Sequence, residues 1–172
     1  MNYHLIIGHG YWSKKNLNYL KKKKIFDEII IKTRKKYFFY SSGSDIKKDE
    51  INKIFRNIQS VHICTPLKNH FKNLKEFNYF KKTAIEKPFL RDTNELNIIQ
   101  KNYKKKYLIV NYIDTFNPLV SKIQKTLKKE KFNQIILNYS KKNRYYKNKN
   151  DFAIDWLDHP LSLILLFFKD FP

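Results

Sequence analysis

Apolar and polar positions along this chain follow two periods that take turns. Tyr3–Ile7 is a short apolar, β-prone run, and Tyr11–Lys22 reads as helix. Glu28–Lys32 is β-prone again, followed by a short apolar piece, Tyr37–Tyr40, and a turn at Ser41-Ser42-Gly43-Ser44. A helix is predicted over Lys48–Asn57, with Ile51, Ile54, Phe55 and Ile58 at helical spacing. Strand Ser60–Cys64, helix Lys68–Tyr79, strand Thr83–Ile85, helix Asp92–Asn102 and strand Tyr107–Tyr112 follow. Such alternation predicts an α/β fold, a doubly wound parallel sheet with helices on both faces. Ligands of such sheets lie beyond the strand C-termini. After Asn117-Pro118 the pattern changes to a helix over Leu119–Lys129, a strand over Phe132–Tyr139, a basic loop over Lys141–Asn150 and an apolar helix over Ile154–Phe168. The expected division is therefore residues 1–115 and an α+β segment, 116–172.

Composition narrows the function classes. The 172 residues carry a formal charge of +21. The lysines are scattered over nearly every predicted helix and loop instead of forming one stripe, and the excess of Lys, Asn, Ile, Tyr and Phe matches an A+T-rich genome. Nucleic acid is not the expected partner; a basic surface of this kind attracts small anionic ligands such as nucleotide sugars and phosphorylated cofactors. The longest apolar run, Leu161–Phe168, is far short of the roughly 18 residues of a membrane span. No basic region precedes an apolar stretch at the N-terminus, so no signal peptide is expected. The single cysteine, Cys64, excludes an internal disulfide framework, and the expected location is cytoplasmic. No Cys/His or acidic group has zinc-ligand spacing, so no metal is expected.

The chemistry begins with Gly8-His9-Gly10-Tyr11-Trp12-Ser13. The protein has three glycines, and two of them fall here, between a predicted strand and a predicted helix. Gly8 permits a tight turn, Gly10 lets the backbone approach a pyrophosphate, and the helix N-terminus holds negative charge. The third position of this Rossmann fingerprint is Ser13 instead of glycine; serine is small enough for close helix–strand packing, and its hydroxyl could donate to phosphate.

Together with four further segments, this turn resembles the Gfo/Idh/MocA oxidoreductases (glucose–fructose oxidoreductase, inositol dehydrogenase and relatives). The segments are Ile63-Cys64-Thr65-Pro66 with His70, Glu86-Lys87-Pro88, Phe116-Asn117-Pro118, and Asp155-Trp156-Leu157-Asp158-His159 with Leu161-Ser162, all in the family's order. The resemblance spans nearly the whole chain. It implies an NAD(P)-dependent oxidoreductase acting on CH–OH groups, with hydride moving between the nicotinamide and a carbinol or keto carbon of a sugar or nucleotide-sugar-like substrate. It also implies a catalytic lysine at Lys87, and cofactor contacts from Gly8, His9, Gly10, Tyr11, Trp12, Ser13, Thr65, Pro66, His70, Glu86 and Lys87.

Lys87, at a strand end, can reach both the nicotinamide ribose and a substrate hydroxyl, and Pro88 restricts it to extended geometry and permits a cis peptide. Asp155 and His159, four residues apart, share one face of a helix. The resemblance makes His159 the acid/base and Asp155 the group that orients it. Asp158 is the competing carboxylate, about 100° away on the helical wheel. Pro160 departs from the family pattern and fits if the helix begins near Asp158 or Pro160, which would leave Asp155 outside it. At the end of the second strand, Lys32-Thr33-Arg34 stands where an NAD site usually has an acid, so Thr33 and Arg34 point to NADP in preference to NAD. His4 and His62 fall within strands, where packing is expected.

Family members continue after the Asp-x-x-x-His helix into a large open sheet, whereas this chain stops at Phe171-Pro172, so a truncated second domain is expected. The last helix is apolar nearly all round and expects burial in a homo-oligomer or against a partner chain. Three readings remain: a working oxidoreductase, a truncated non-catalytic dinucleotide-binding relative that pairs with another chain, and a basic binding protein without a redox role.

Overall fold

Five consecutive positions of the first strand are buried, the mark of a parallel strand covered on both faces. The computed structural model describes residues 1–77, 80, 82–103, 107–127, 136–138 and 149–168; the side chains of residues 103 and 149–156 lie outside the description. They form two units, Met1–Asn111 and Tyr112–Pro172.

The first unit contains β1 (Tyr3–Ile7), α1 (Tyr11–Lys23), β2 (Glu28–Lys32), β3 (Tyr37–Phe39), β4 (Asp45–Ile46), α2 (Lys48–Phe55), β5 (Ile58–Ile63), α3 (His70–Glu76), β6 (Lys82–Glu86), α4 (Thr93–Tyr103) and β7 (Tyr107–Asn111). They build a seven-stranded sheet in the order β4-β3-β2-β1-β5-β6-β7. Strands β2, β1, β5, β6 and β7 run parallel, and β3 and β4 extend the β2 edge as antiparallel strands. The fold is the expected mixed α/β, doubly wound one. The β3–β4 hairpin is an addition: the Ser41–Ser44 turn returns the chain onto a two-residue strand too short to show a period.

Strand alternation sorts the core into two layers. Leu5, Ile7, Ile30, Val61, Ile63 and Ile85 face Ile51 and Ile54 of α2, Leu74 of α3 and Ile99 of α4. Ile6, Ile29 and Ile31 face the opposite way, onto Leu17 of α1. Helix α1 closes on Lys24, a left-handed residue whose N–H donates to the Leu20 carbonyl, and Lys21, Lys22 and Lys23 sit against the negative end of its dipole. On the α1 side of β5–β7 the cross-strand row His62–Ala84–Ile109 ends on an isoleucine that is 53% exposed.

The second unit comprises a 3₁₀ turn at Ile113–Phe116, α5 (Pro118–Leu127) and α6 (Lys149–Phe167). Gln124 Nε2 donates to the Leu166 carbonyl at 2.9 Å, tying α5 to α6. The predicted strand Phe132–Tyr139 and loop Lys141–Asn150 fall mostly outside the described residues; Ile136–Asn138 carries no regular structure, and Asn150 already belongs to α6. Pro160 lies inside α6, not in its first turn. Proline removes one backbone bond, at a cost of about 3 kcal/mol, and the helix continues because burial of residues such as Leu163 opposes that loss. Leu157, Leu161 and Leu165, four apart, are exposed along one stripe. Among the described residues, no helix is long and apolar enough to cross a membrane.

His4 belongs to the core. Its Nδ1 lies 2.7 Å from Ser60 Oγ, and its ring stacks on Phe26. Burial, with a smaller contribution from His62, pushes its pKa down from 6.5 to about 3. The unfolded chain takes up a proton near pH 6.5 while the folded chain does not, so this stability is complete above that pH and is lost as pH falls towards 3. The urea midpoint should therefore fall between pH 7 and pH 5, and His4→Gln should flatten that fall; an equal fall in the variant would contradict the assignment.

Candidate functional site

The β1–α1 turn is stitched to both neighbouring strands. Gly8 N–H donates to the Lys32 carbonyl at 2.8 Å, and Cys64 N–H donates to the Ile7 carbonyl at 2.8 Å. Gly8 has φ +104°, and a Cβ there would lie 2.7 Å from the Cys64 carbonyl oxygen. Only glycine meets both demands. Gly10, the N-cap of α1, is different: a Cβ there would meet nothing within 4 Å, so the space over it is open. The N-cap Gly10 provides no side-chain cap and no acid stands in the first turn of α1, whose first N–H groups belong to Tyr11, Trp12 and Ser13. Ser13 is fully buried and its hydroxyl donates to the Gly10 carbonyl at 2.7 Å. The small third residue of the fingerprint thus tightens the turn, and its hydroxyl is not the phosphate donor that the sequence suggested. Lys15 Nζ lies over the rings of Tyr11 and Trp12, and His9 meets Phe38 edge-on.

Around this turn opens a cavity of about 720 Å³, lined by Gly8, Gly10, Thr33, Arg34, Thr65 and Asn73 among others. Two of its cations are engaged, Lys32 with Glu76 at 3.5 Å and Lys36 with Asp45 at 2.6 Å. Arg34, Lys35 and Lys72 are exposed on its wall and make no side-chain ion pair among the described residues. Thr33 is committed to the β2–β3 turn: its hydroxyl donates to the Lys36 carbonyl and accepts from the N–H groups of Lys35 and Lys36. Thr33 therefore shapes the loop that presents Arg34. Asn69, which precedes α3, and Lys72 and Asn73 of α3 also line the cavity; sequence does not single them out, because α3 is too short to announce which of its polar residues turn inwards.

The other motif residues sit at the ends of β5 and β6. Thr65 and Pro66 line the cavity, and Asn73 Nδ2 donates to Thr65 Oγ1 at 2.9 Å. His70 is only 1% exposed. Its Nε2 lies 2.7 Å from the Thr65 carbonyl, and its Nδ1 lies 2.9 and 3.2 Å from those of Pro88 and Phe89. The ring thus ties the loop after β5 to the loop after β6 and is spent on backbone, not on a ligand. The Lys87–Pro88 peptide is cis. Glu86 is buried beneath it, with Oε1 at 3.2 Å from Asn16 Nδ2, 3.0 Å from Asn111 Nδ2 and 3.0 Å from His62 Nε2. Burial alone would raise the Glu86 carboxyl, but the contacts from His62, Asn111 and Asn16 together hold it below the usual range. Burial, and then the Glu86 charge, push the Cys64 thiol up to about 12.

In the second unit, His159 is buried and its Nδ1 lies 3.0 Å from Asp114 Oδ2. Sequence offered Asp155 and Asp158 as partners; Asp114 comes from a 3₁₀ turn 45 residues earlier, beyond the reach of any helical wheel. Asp155 and His159 lie one turn apart in the same helix, and the Asp155 side chain falls outside the described residues. Burial, then the Asp158 charge, raise the Tyr112 phenol.

No family model matches this chain, and no curated protein matches it. Solved structures do. Scyllo-inositol dehydrogenase from Lactobacillus casei is 14% identical over 97% of this chain and 55% of its own, with a TM-score of 0.59. UDP-N-acetylglucosamine 3-dehydrogenase from Acidithiobacillus ferrooxidans is 16% identical over 72% and 42%, with a TM-score of 0.56. The WlbA dehydrogenase from Chromobacterium violaceum, solved with NADH and UDP-GlcNAcA, is 16% identical over 77% and 41%, with a TM-score of 0.54. The likeness is one of fold. All three are named as dehydrogenases, and this chain spans about half the length of the solved chains it matches.

The two glycines should separate in a stability assay. Gly8→Ala places a side chain at positive φ against a carbonyl and should cost about 2 kcal/mol or more in urea unfolding. Gly10→Ala meets open space and should cost less than about 1 kcal/mol. The reverse order would contradict the geometry.

Proposed function

We propose that this chain is an NADP-preferring oxidoreductase that moves hydride between a nicotinamide and a hydroxyl-bearing or keto carbon of a sugar or nucleotide-sugar-like substrate. The observation that carries the reading is the β1–α1 turn, where Gly8 allows only hydrogen at its Cα and Gly10 leaves open space before an uncapped helix N-terminus. That cradle, edged by Arg34, Lys35 and Lys72, fits a dinucleotide pyrophosphate and a ribose carrying a 2′-phosphate. The backbone N–H groups of Tyr11, Trp12 and Ser13 would hold the pyrophosphate, and Arg34 the 2′-phosphate. The WlbA dehydrogenase's NADH and UDP-GlcNAcA agree in chemical class with this reading.

When bound, the nicotinamide supplies a two-electron hydride acceptor. Lys87 and His159 are the proposed proton carriers: as the C–H electron pair leaves the carbinol carbon, one of them takes the hydroxyl proton, and the C–O bond becomes a carbonyl. In the reverse direction the same group returns the proton. Asp114, whose Oδ2 lies 3.0 Å from His159 Nδ1, would fix the ring's orientation.

Two measurements test this. NADPH should bind at least about tenfold more tightly than NADH, a difference of about 1.4 kcal/mol, and Arg34→Ala should remove most of that margin; equal affinities in the unaltered protein would end the NADP preference. Against a panel of sugars and nucleotide sugars, Lys87→Met and His159→Asn should each lower kcat by about 10²–10⁴ while NADPH affinity stays within about twofold. Turnover unaffected by both substitutions would contradict their roles. Binding without any turnover would remove the enzymatic reading and leave the nucleotide site standing.

A further inference from the structure

On the α1 side of the sheet, three side chains of ligand type meet where β5 and β6 end. His62 lies within β5, Cys64 follows its last residue, and Glu86 closes β6. Strand residues two apart share a face, so His62 and Cys64 project to the same side. Parallel pairing sets His62 beside Ala84 and Ile63 beside Ile85, and continuing that register brings Glu86 level with Cys64. One ligand atom from each residue, a ring nitrogen, Sγ and a carboxylate oxygen, lies within 4.8 Å of the other two.

We propose that His62, Cys64 and Glu86 bind one divalent cation of the zinc class. The donor set decides the class. Imidazole nitrogen, thiolate and one carboxylate oxygen suit zinc, whereas calcium and magnesium require about six or more oxygens. Zinc bonds of about 2.0–2.3 Å place tetrahedral neighbours roughly 3.3–3.8 Å apart, so small side-chain rotations close the site. The side chains of His62 and Glu86 are 12% and 7% exposed, which limits competition from water.

The fourth corner has a candidate as well. Asn16 Nδ2, from α1, lies 3.6 Å from Cys64 Sγ and 3.2 Å from Glu86 Oε1, so the end of its amide already points between two of the ligands. Turning the amide over presents Oδ1 at that point, a choice that heavy-atom positions do not distinguish. Asn111 Nδ2, at 3.0 and 3.2 Å from the Glu86 oxygens, supplies the outer contact that orients a ligating carboxylate. The cation replaces the 3.0 Å contact between His62 and Glu86, and the thiol proton leaves to solvent as the sulfur–metal bond forms.

With a fourth ligand supplied by protein and two of the side chains mostly buried, such a site is structural. It fastens β5, β6 and α1 together directly behind the carbonyl of Cys64 that confronts Gly8. The cation site is independent of the dinucleotide cradle, and its test uses no dinucleotide.

The experiment is titration of the full chain, freed of metal by a chelator, with Co²⁺ and then Zn²⁺. One equivalent of Co²⁺ per chain should produce a sulfur-to-cobalt charge-transfer band with the visible bands of a tetrahedral site, and Zn²⁺ should abolish both. Because Cys64 is the only cysteine, any such band reports on it directly. His62→Gln and Glu86→Gln should each weaken Co²⁺ binding about tenfold or more, with folding checked by far-ultraviolet circular dichroism, while His9→Gln at the exposed turn should leave it unchanged. Absence of the band in the unaltered, folded protein would overturn the proposal. So would a stoichiometry of one metal per two chains, or full affinity retained in both ligand variants.

Discussion

The carbonyl oxygen of Cys64 occupies the place that a side chain on residue 8 would need. Much of the first unit can be understood from that close approach. Strand β1 hands its last carbonyl, on Ile7, to the N–H of Cys64, and the next N–H, on Gly8, to Lys32 of β2. The chain then has no room for a Cβ as it leaves the sheet, and it turns directly into α1. Because β1 is central in the sheet, the turn emerges between two parallel neighbours and is fixed on both flanks. The uncapped end of α1 is therefore aimed by the sheet itself. A helix terminus held this way keeps its donors oriented without paying for order when an anion arrives.

Electrostatics follow the same geometry more than the overall charge. A formal +21 would suggest contact with any polyanion, yet the cations near the turn divide into two kinds. Lys32 and Lys36 are engaged by Glu76 and Asp45 and by aromatic rings. Arg34 and Lys35 stand at the tip of a turn that Thr33 builds with its hydroxyl, and Lys72 faces them from α3. The useful charge is the small part that backbone geometry presents to one cavity.

Much of this was legible in the sequence. The alternation of periods located the strands of the parallel sheet within a residue or two, and the scarcity of glycine marked the turn. What escaped is non-local. The two-residue β4 is too short to carry a period, and α6 begins at Lys149 and continues through Pro160 although proline's chemistry argues for a helix start there. Helical spacing offers Asp155 as the partner of His159, and the structure adds Asp114 from a distant turn. His70 matched a motif, but only the fold shows its ring spent on three backbone carbonyls. His62, Cys64 and Glu86 are separated along the chain by spacings that no local motif would flag, and parallel register alone brings them together.

Dinucleotide binding at the glycine turn can be read out residue by residue. The protein has only three glycines, so ¹⁵N-glycine labelling yields a three-peak amide spectrum: Gly8 and Gly10 at the turn, and Gly43 in the β3–β4 hairpin. Titration with NADPH should move the Gly8 and Gly10 peaks in a saturable way and leave Gly43 in place. Peaks for Gly8 and Gly10 that stay fixed at saturating NADPH would contradict the account.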